Sequence, residues 1–152
     1  MARHKKIGDI YRFDFDEKYH CYCQILKEND VCFFDFYSDN ENDDINEILN
    51  KNEIFRIWLD RDCFKSSKWK FICNKELFDS RKNITKKYNK PIGNDYYQIY
   101  EEGKFVKATR EECKGLEYTA AWTELGVIQR LNYYFFGKEL PQNIKKDIPF
   151  YE

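Results

Sequence analysis

No apolar run in this chain approaches the ~20 residues needed to span a bilayer. The opening Met-Ala-Arg-His-Lys-Lys leads straight into Gly8-Asp9 without the apolar stretch of a secretory leader. The expected location is therefore the cytoplasm, with no membrane attachment. Net charge is also missing. The 26 basic and 27 acidic residues leave −1, so nothing in the total points to nucleic acid or an anionic membrane as partner. Histidine is scarce, with only His4 and His20, which leaves few arrangements for a thiolate activated by an imidazole. The P-loop, G-x-G-x-x-G, G-x-S-x-G and H-E-x-x-H motifs are all lacking. Neither an internal repeat nor a second domain can be discerned. The expectation is a single domain over residues 1–152, with its core at about 7–137.

A chain of 152 residues is long enough to bury a core without disulfides or metals. With 42% hydrophobic and 35% charged residues it belongs with globular chains rather than disordered ones. It has 13 Phe, 12 Tyr and 3 Trp, enough for a core resting on aromatics. Lys, Asn, Ile, Tyr and Phe are also the residues of an AT-rich genome, so the aromatic count is no binding signature by itself. The charge is unevenly placed. Residues Asp30 to Asp62 hold ten acids and three bases, whereas Cys63 to Lys90 hold nine bases and two acids. Two solvated loops that partly neutralise each other would produce the same pattern.

Period-two alternation marks the first third as antiparallel strand. In Ile10–Asp16, Tyr11, Phe13 and Phe15 alternate with Arg12, Asp14 and Asp16. Asp16-Glu17-Lys18 reads as a turn, and Tyr19–Leu26 as a strand with Tyr19, Cys21, Cys23 and Ile25 on one face. Glu28-Asn29-Asp30 supplies turn chemistry, through the tolerance of Asn and Asp for left-handed backbone. Val31–Tyr37 is apolar on nearly both faces, as a central strand would be. Asp43 and Asp44 can cap a short helix with Ile45, Ile48 and Leu49 on one stripe. Strands follow at Ile54–Leu59 and Trp69–Ile72. The polar stretch Asp79–Asp95 reads as a long loop, and Tyr96–Glu101 with Lys104–Lys107 as a hairpin across Glu102-Gly103. Thr109-Arg110-Glu111-Glu112 fits a capping box, and Gly115 ends that short helix. A longer helix spans about Glu124–Phe136, with Leu125, Val127, Ile128, Leu131 and Phe135 as its apolar stripe and Gly137 as its C-cap. Pro141 and Pro149 mark an irregular tail.

Three constellations could carry chemistry. Cys21, Cys23 and Cys32 with His20 form the first. Structural zinc needs four converging ligands, usually at C-x2-C or wider spacing, and His20 faces away from Cys21 and Cys23 in a strand. These thiols, with Cys63, Cys73 and Cys113, are expected to be free and packed as small hydrophobes, with no metal or cofactor. Lys65, Lys68, Trp69 and Lys70 form the second. They mix cation and aromatic as a nucleic-acid surface does, yet Lys between apolar residues also protects an edge strand, the reading favoured here. Asp39, Glu41, Asp43, Asp44 and Glu47 form the third, an acid run with no base inside it. Such a run is commonly just solvated, but it can also steer an inhibitor onto a basic partner.

Several blocks resemble one family. Gly8-Asp9-Ile10-Tyr11, Tyr19 spaced to Gln24-Ile25-Leu26, and Phe33-Phe34-Asp35 are similar to the opening of immunity protein 26, a family of bacterial polymorphic-toxin systems. Ala108-Thr109-Arg110-Glu111-Glu112-Cys113-x-Gly115-Leu116-Glu117, then Ala120-Ala121-Trp122, then Arg130-Leu131, are similar to its C-terminal part. The order matches over roughly Ile7–Gly137. The chain departs from the family at the first hairpin, where relatives often carry glycines and this chain has Asp16-Glu17-Lys18, Cys21 and Cys23. The resemblance implies a cytoplasmic inhibitor that neutralises a toxin encoded beside it, and no enzyme. The fold expected is α+β, a curled antiparallel sheet packed with a short helix and a C-terminal helix, an SH3-like barrel being one form it could take. Thr109, Glu112, Glu117 and Trp122 are expected to be structural: a cap, its back-reaching carboxylate, a buried acceptor and a core anchor. Toxin contact is expected at Asp39, Glu41, Asp43, Asp44 and Glu47. The rival expectation is a small nucleic-acid module using the Lys65–Lys70 strand.

Overall fold

The computed structural model describes residues 4–145. Its first half runs β1 (Asp9–Phe13), β2 (His20–Lys27), β3 (Asp30–Ser38), α1 (Ile45–Leu49), β4 (Glu53–Leu59) and β5 (Trp69–Asn74). Its second half runs β6 (Lys87–Asn89), β7 (Tyr97–Glu101), β8 (Lys104–Ala108), β9 (Glu117–Tyr118), β10 (Ala121–Trp122), α2 (Glu124–Phe136) and α3 (Gln142–Lys145). The α+β class expected from the sequence holds. Among the described residues there are two sheets, one ordered β10-β4-β3-β2-β1-β5 and the other β8-β7-β6-β9. Both are open, so the barrel form is not adopted. Pairing is antiparallel except for β10 with β4 and β6 with β9, which are parallel. The described residues divide into two units, 4–82 with 121–140 and 83–120 with 141–145.

In the first unit the central strands are buried on both faces. Tyr11, Phe13, Phe15 and Phe33 pack on the α2 side. Phe13 stacks on Trp69 with ring centroids 3.8 Å apart, and Phe15 meets Phe135 at 5.6 Å. The opposite face holds Ile10, Tyr22, Leu26, Cys32 and Phe34, packed with Ile48 and Leu49 of α1. Each fully buried ring or aliphatic side chain contributes roughly 1.5–3 kcal/mol. The sequence suggested one polar face for β1. Instead Ile10 is buried, and Arg12 lies under residues of the 39–44 loop, which explains why a polar residue can sit on that face.

Helix α2 spans the residues expected. Thr123 caps it by accepting from the Gly126 amide at 3.2 Å, and Gly137 closes it at φ 67. Its stripe needs one correction. Leu125 is 63% exposed, whereas Val127, Arg130 and Leu131 are buried. Leu125 precedes Val127 by two residues, about 200° around the helix, and so faces outward. Arg130 is buried because its guanidinium lies 3.9 Å from the Phe55 ring and 4.9 Å from the Trp122 ring, a cation–π sandwich that offsets desolvation.

In the second unit, β7 and β8 form a hairpin whose turn residues have φ 49 at Glu102 and φ 80 at Gly103. Two positive φ values match the twist of paired strands. The Thr109 capping box closes reciprocally. The Thr109 amide donates to Glu112 Oε1 at 2.9 Å, and the Glu112 amide donates to Thr109 Oγ1 at 3.2 Å. Tyr88 packs its ring 5.2 Å from that of Tyr118.

Three local expectations change. In the β2–β3 turn the left-handed residue is Glu28, at φ 49, rather than Asn29 or Asp30. Residues Asp79–Asp95 are not one loop, since β6 pairs there with β7 and β9. The tail after Pro141 begins with α3, and Pro149 lies outside the described residues.

Candidate binding surface

The acid run does not behave as one solvated loop. Asp43 is the exception within it, for its side chain is only 5% exposed. Its Oδ2 lies 2.8 Å from His20 Nε2 and accepts from the Tyr22 hydroxyl at 2.8 Å. A carboxylate cannot donate, so the proton in the first contact belongs to His20 Nε2. Burial works to raise the Asp43 pKa, but hydrogen bonds from His20, Tyr22 and Ser38 outweigh it and hold the pKa below the ordinary carboxylate value. Tyr22 shifts the other way, pushed up by burial and then by its bond to that carboxylate. Asp43 thus ties the loop to β2 from inside.

The remaining four acids stand outside. Asp39 lies 4.0 Å from Lys18 Nζ, with both side chains more than half exposed. Glu41 accepts from Arg12 Nη1 at 2.9 Å. That bond raises the Arg12 pKa and lowers that of Glu41. Asp44 caps α1 by accepting from the Asn46 amide at 3.0 Å. Glu47 is exposed in the first turn of the same helix.

The basic candidate is built differently. Lys65, Lys68 and Lys70 are exposed, and Lys65 pairs with Asp62 at 3.0 Å. Trp69 is buried, stacked on Phe13, and donates its indole N–H to Glu124 at 2.9 Å. β5 is an edge of the six-stranded sheet. The strand expected over Lys65–Lys70 begins only at Trp69, with Lys65 in a 3-10 turn and Lys68 before the strand. The inward Trp69 ring offers bases no indole to stack on.

The cysteines are free, all buried but Cys73. Burial pushes the Cys32 thiol up to about 12 and that of Cys63 to about 11, so neither forms a thiolate near neutral pH. Among the described residues, no group of three or more His, Cys, Asp or Glu is placed to hold a metal ion. Of the residues carrying the C-terminal resemblance, Thr109 and Glu112 form the cap described above. Glu117 is buried in register with the buried Lys87, and Trp122 is buried under Arg130.

Sequence reasoning missed Arg12, His20 and Tyr22 as the anchors of the acidic loop. It also missed two exposed tyrosines, Tyr37 and Tyr134, whose rings meet through Phe135. A signal for Tyr134 was present. Tyr133-Tyr134-Phe135-Phe136 are four successive rings at a helix end, and successive residues point about 100° apart, so one face cannot bury them all.

Among the described residues, no helix is long and apolar enough to cross a membrane. No curated protein and no solved structure matches the chain. The family model described as Immunity protein 26 matches residues 6–102. The match takes in all of β1–β5, the acidic loop and the first strand of the β7–β8 hairpin, and ends before the 108–122 block. Matched over more than half its length, the chain belongs to the immunity protein 26 family.

Proposed function

We propose that this protein neutralises a cognate toxin by stoichiometric binding, not by catalysis, in the cytoplasm of the cell that makes it. Its membership of the immunity protein 26 family carries the reading. The chemistry is compatible with it. The buried thiols lack thiolate character, and the one buried histidine is engaged with Asp43. Residues 1–152 act as one immunity domain in this reading. Contact with the toxin is made by Asp39, Glu41, Asp44 and Glu47, while Asp43 shapes the loop from within.

The test is co-expression with the toxin domain encoded beside this chain's gene. Growth should be rescued fully only when the protein is at least equimolar with the toxin, and the pair should co-elute. Protection at sub-stoichiometric amounts would indicate an enzyme acting on the toxin or its product. Absence of both rescue and co-elution would refute the proposal.

A further inference from the structure

One end of the six-stranded sheet gathers aromatic rings that the core does not use. Tyr37, near the end of β3, is 41% exposed, and Tyr134, late in α2, is 47% exposed. The rings form a connected surface. Tyr37 lies 5.0 Å from Phe135 and from Phe136, Tyr134 lies 5.1 Å from Phe135, and Tyr19 lies 5.3 Å from Tyr37. Single exposed rings are ordinary, but a contiguous group marks an interaction site.

The same end is acidic. Its two loops, residues 14–18 and 38–44, hold seven carboxylates and one lysine. Lys18 joins them to the patch, with Nζ 4.0 Å from Asp39 and 5.2 Å from the Tyr19 ring. Asp35 lies within the patch and hydrogen-bonds the Tyr134 hydroxyl. An aromatic face beside exposed carboxylates suits a guanidinium, which stacks on the ring and donates hydrogen bonds to the acid.

We propose that this acidic, tyrosine-bearing end is where the toxin docks, and that the toxin surface it receives is rich in arginine. The proposal rests on the toxin-binding reading above and names its anchors. The tyrosines supply the buried centre that dominates affinity. The carboxylates around them supply steering and register.

The experiment measures affinity and rates for the toxin domain encoded directly upstream of this chain's gene, inactivated at its own catalytic residue. Partners are the wild-type chain, the Tyr37→Ala/Tyr134→Ala double variant, Tyr134→Ala alone, and Ile7→Ser, exposed at the opposite end of β1, as a control. The double variant should bind at least about 30-fold more weakly, mainly through faster dissociation, while melting like wild type. Ile7→Ser should bind like wild type. If the double variant unfolds, Tyr134→Ala alone should still weaken binding about tenfold. Wild-type affinity in both tyrosine variants would overturn the docking surface while leaving toxin binding intact. Failure of the wild-type chain to bind would remove the functional reading and this proposal together. Replacing arginines on the toxin's contact surface by alanine should weaken binding, and indifference to that change would overturn the arginine assignment. A wild-type dimer that the double variant converts to monomer would assign the patch to a second copy of this chain and overturn the proposal.

Discussion

The acidic segment around residues 39–47 and the basic segment around 65–70 look like mirror images in the sequence, yet the fold treats them oppositely. In the basic segment the aromatic goes inside. Trp69 stacks on Phe13 and hydrogen-bonds Glu124, leaving Lys70 on the edge strand and Lys65 and Lys68 in the turn before it. At the acidic end a charge goes inside, as Asp43 is held by His20 and Tyr22, and tyrosines remain outside beside the other carboxylates. Charge alone confers steering, whereas charge beside exposed rings confers an anchored interface. A charge run therefore has to be judged by what becomes of the aromatics next to it.

The largest effect that could break this comparison lies at Trp69. If the ring is core, Trp69→Ala should cost about 3–5 kcal/mol in chemical denaturation, the range for a large buried aromatic. A loss under about 1 kcal/mol would mean that the ring is dispensable and free to serve as a surface. Asp43 comes next. Asp43→Ala leaves His20 and Tyr22 without their acceptor and should cost about 2–4 kcal/mol. The pH dependence has a definite sign. The folded pKa of Asp43 lies below its ordinary value of 3.8, so its ionic contribution is complete above that value. It is lost as pH falls through the lowered folded value. The stability gap between wild type and Asp43→Asn should therefore narrow on acidification below pH 3.8. A gap that is constant or widens over that range would contradict the ionised, internally bonded carboxylate.

These effects were unequally legible in the sequence. Alternation in Tyr11, Phe13 and Phe15, the Thr109 capping box and the Glu124–Phe136 span of α2 with its Gly137 cap are local patterns, and local patterns are what a sequence displays. The burial of Asp43 is not local, since its partners His20 and Tyr22 lie more than 20 residues away and nothing separates Asp43 from Asp44 by composition. The tyrosine patch likewise joins Tyr37 to a helix almost 100 residues later. Strand β6 escaped notice because three residues show no period, and its partners β7 and β9 come later in the chain. Leu125 was misjudged because it is apolar, although its angular position opposes Val127.

The smallest effect sharpens the comparison through rates. Replacing Asp39, Glu41, Asp44 and Glu47 by Asn or Gln, with Asp43 kept, should slow toxin association up to about tenfold at low salt and much less at high salt. Replacing Lys65, Lys68 and Lys70 by Gln should leave association unslowed at any salt. Equal slowing by the two sets would erase the distinction between the segments.

The central claim, inhibition by one-to-one occupancy, is met most directly by titrating the active toxin domain with this protein at toxin concentrations far above the Kd. Residual toxin activity should fall in a straight line and reach zero at one chain per toxin. Complete loss of activity at a tenth of that ratio, continuing with time, would contradict occupancy and require turnover.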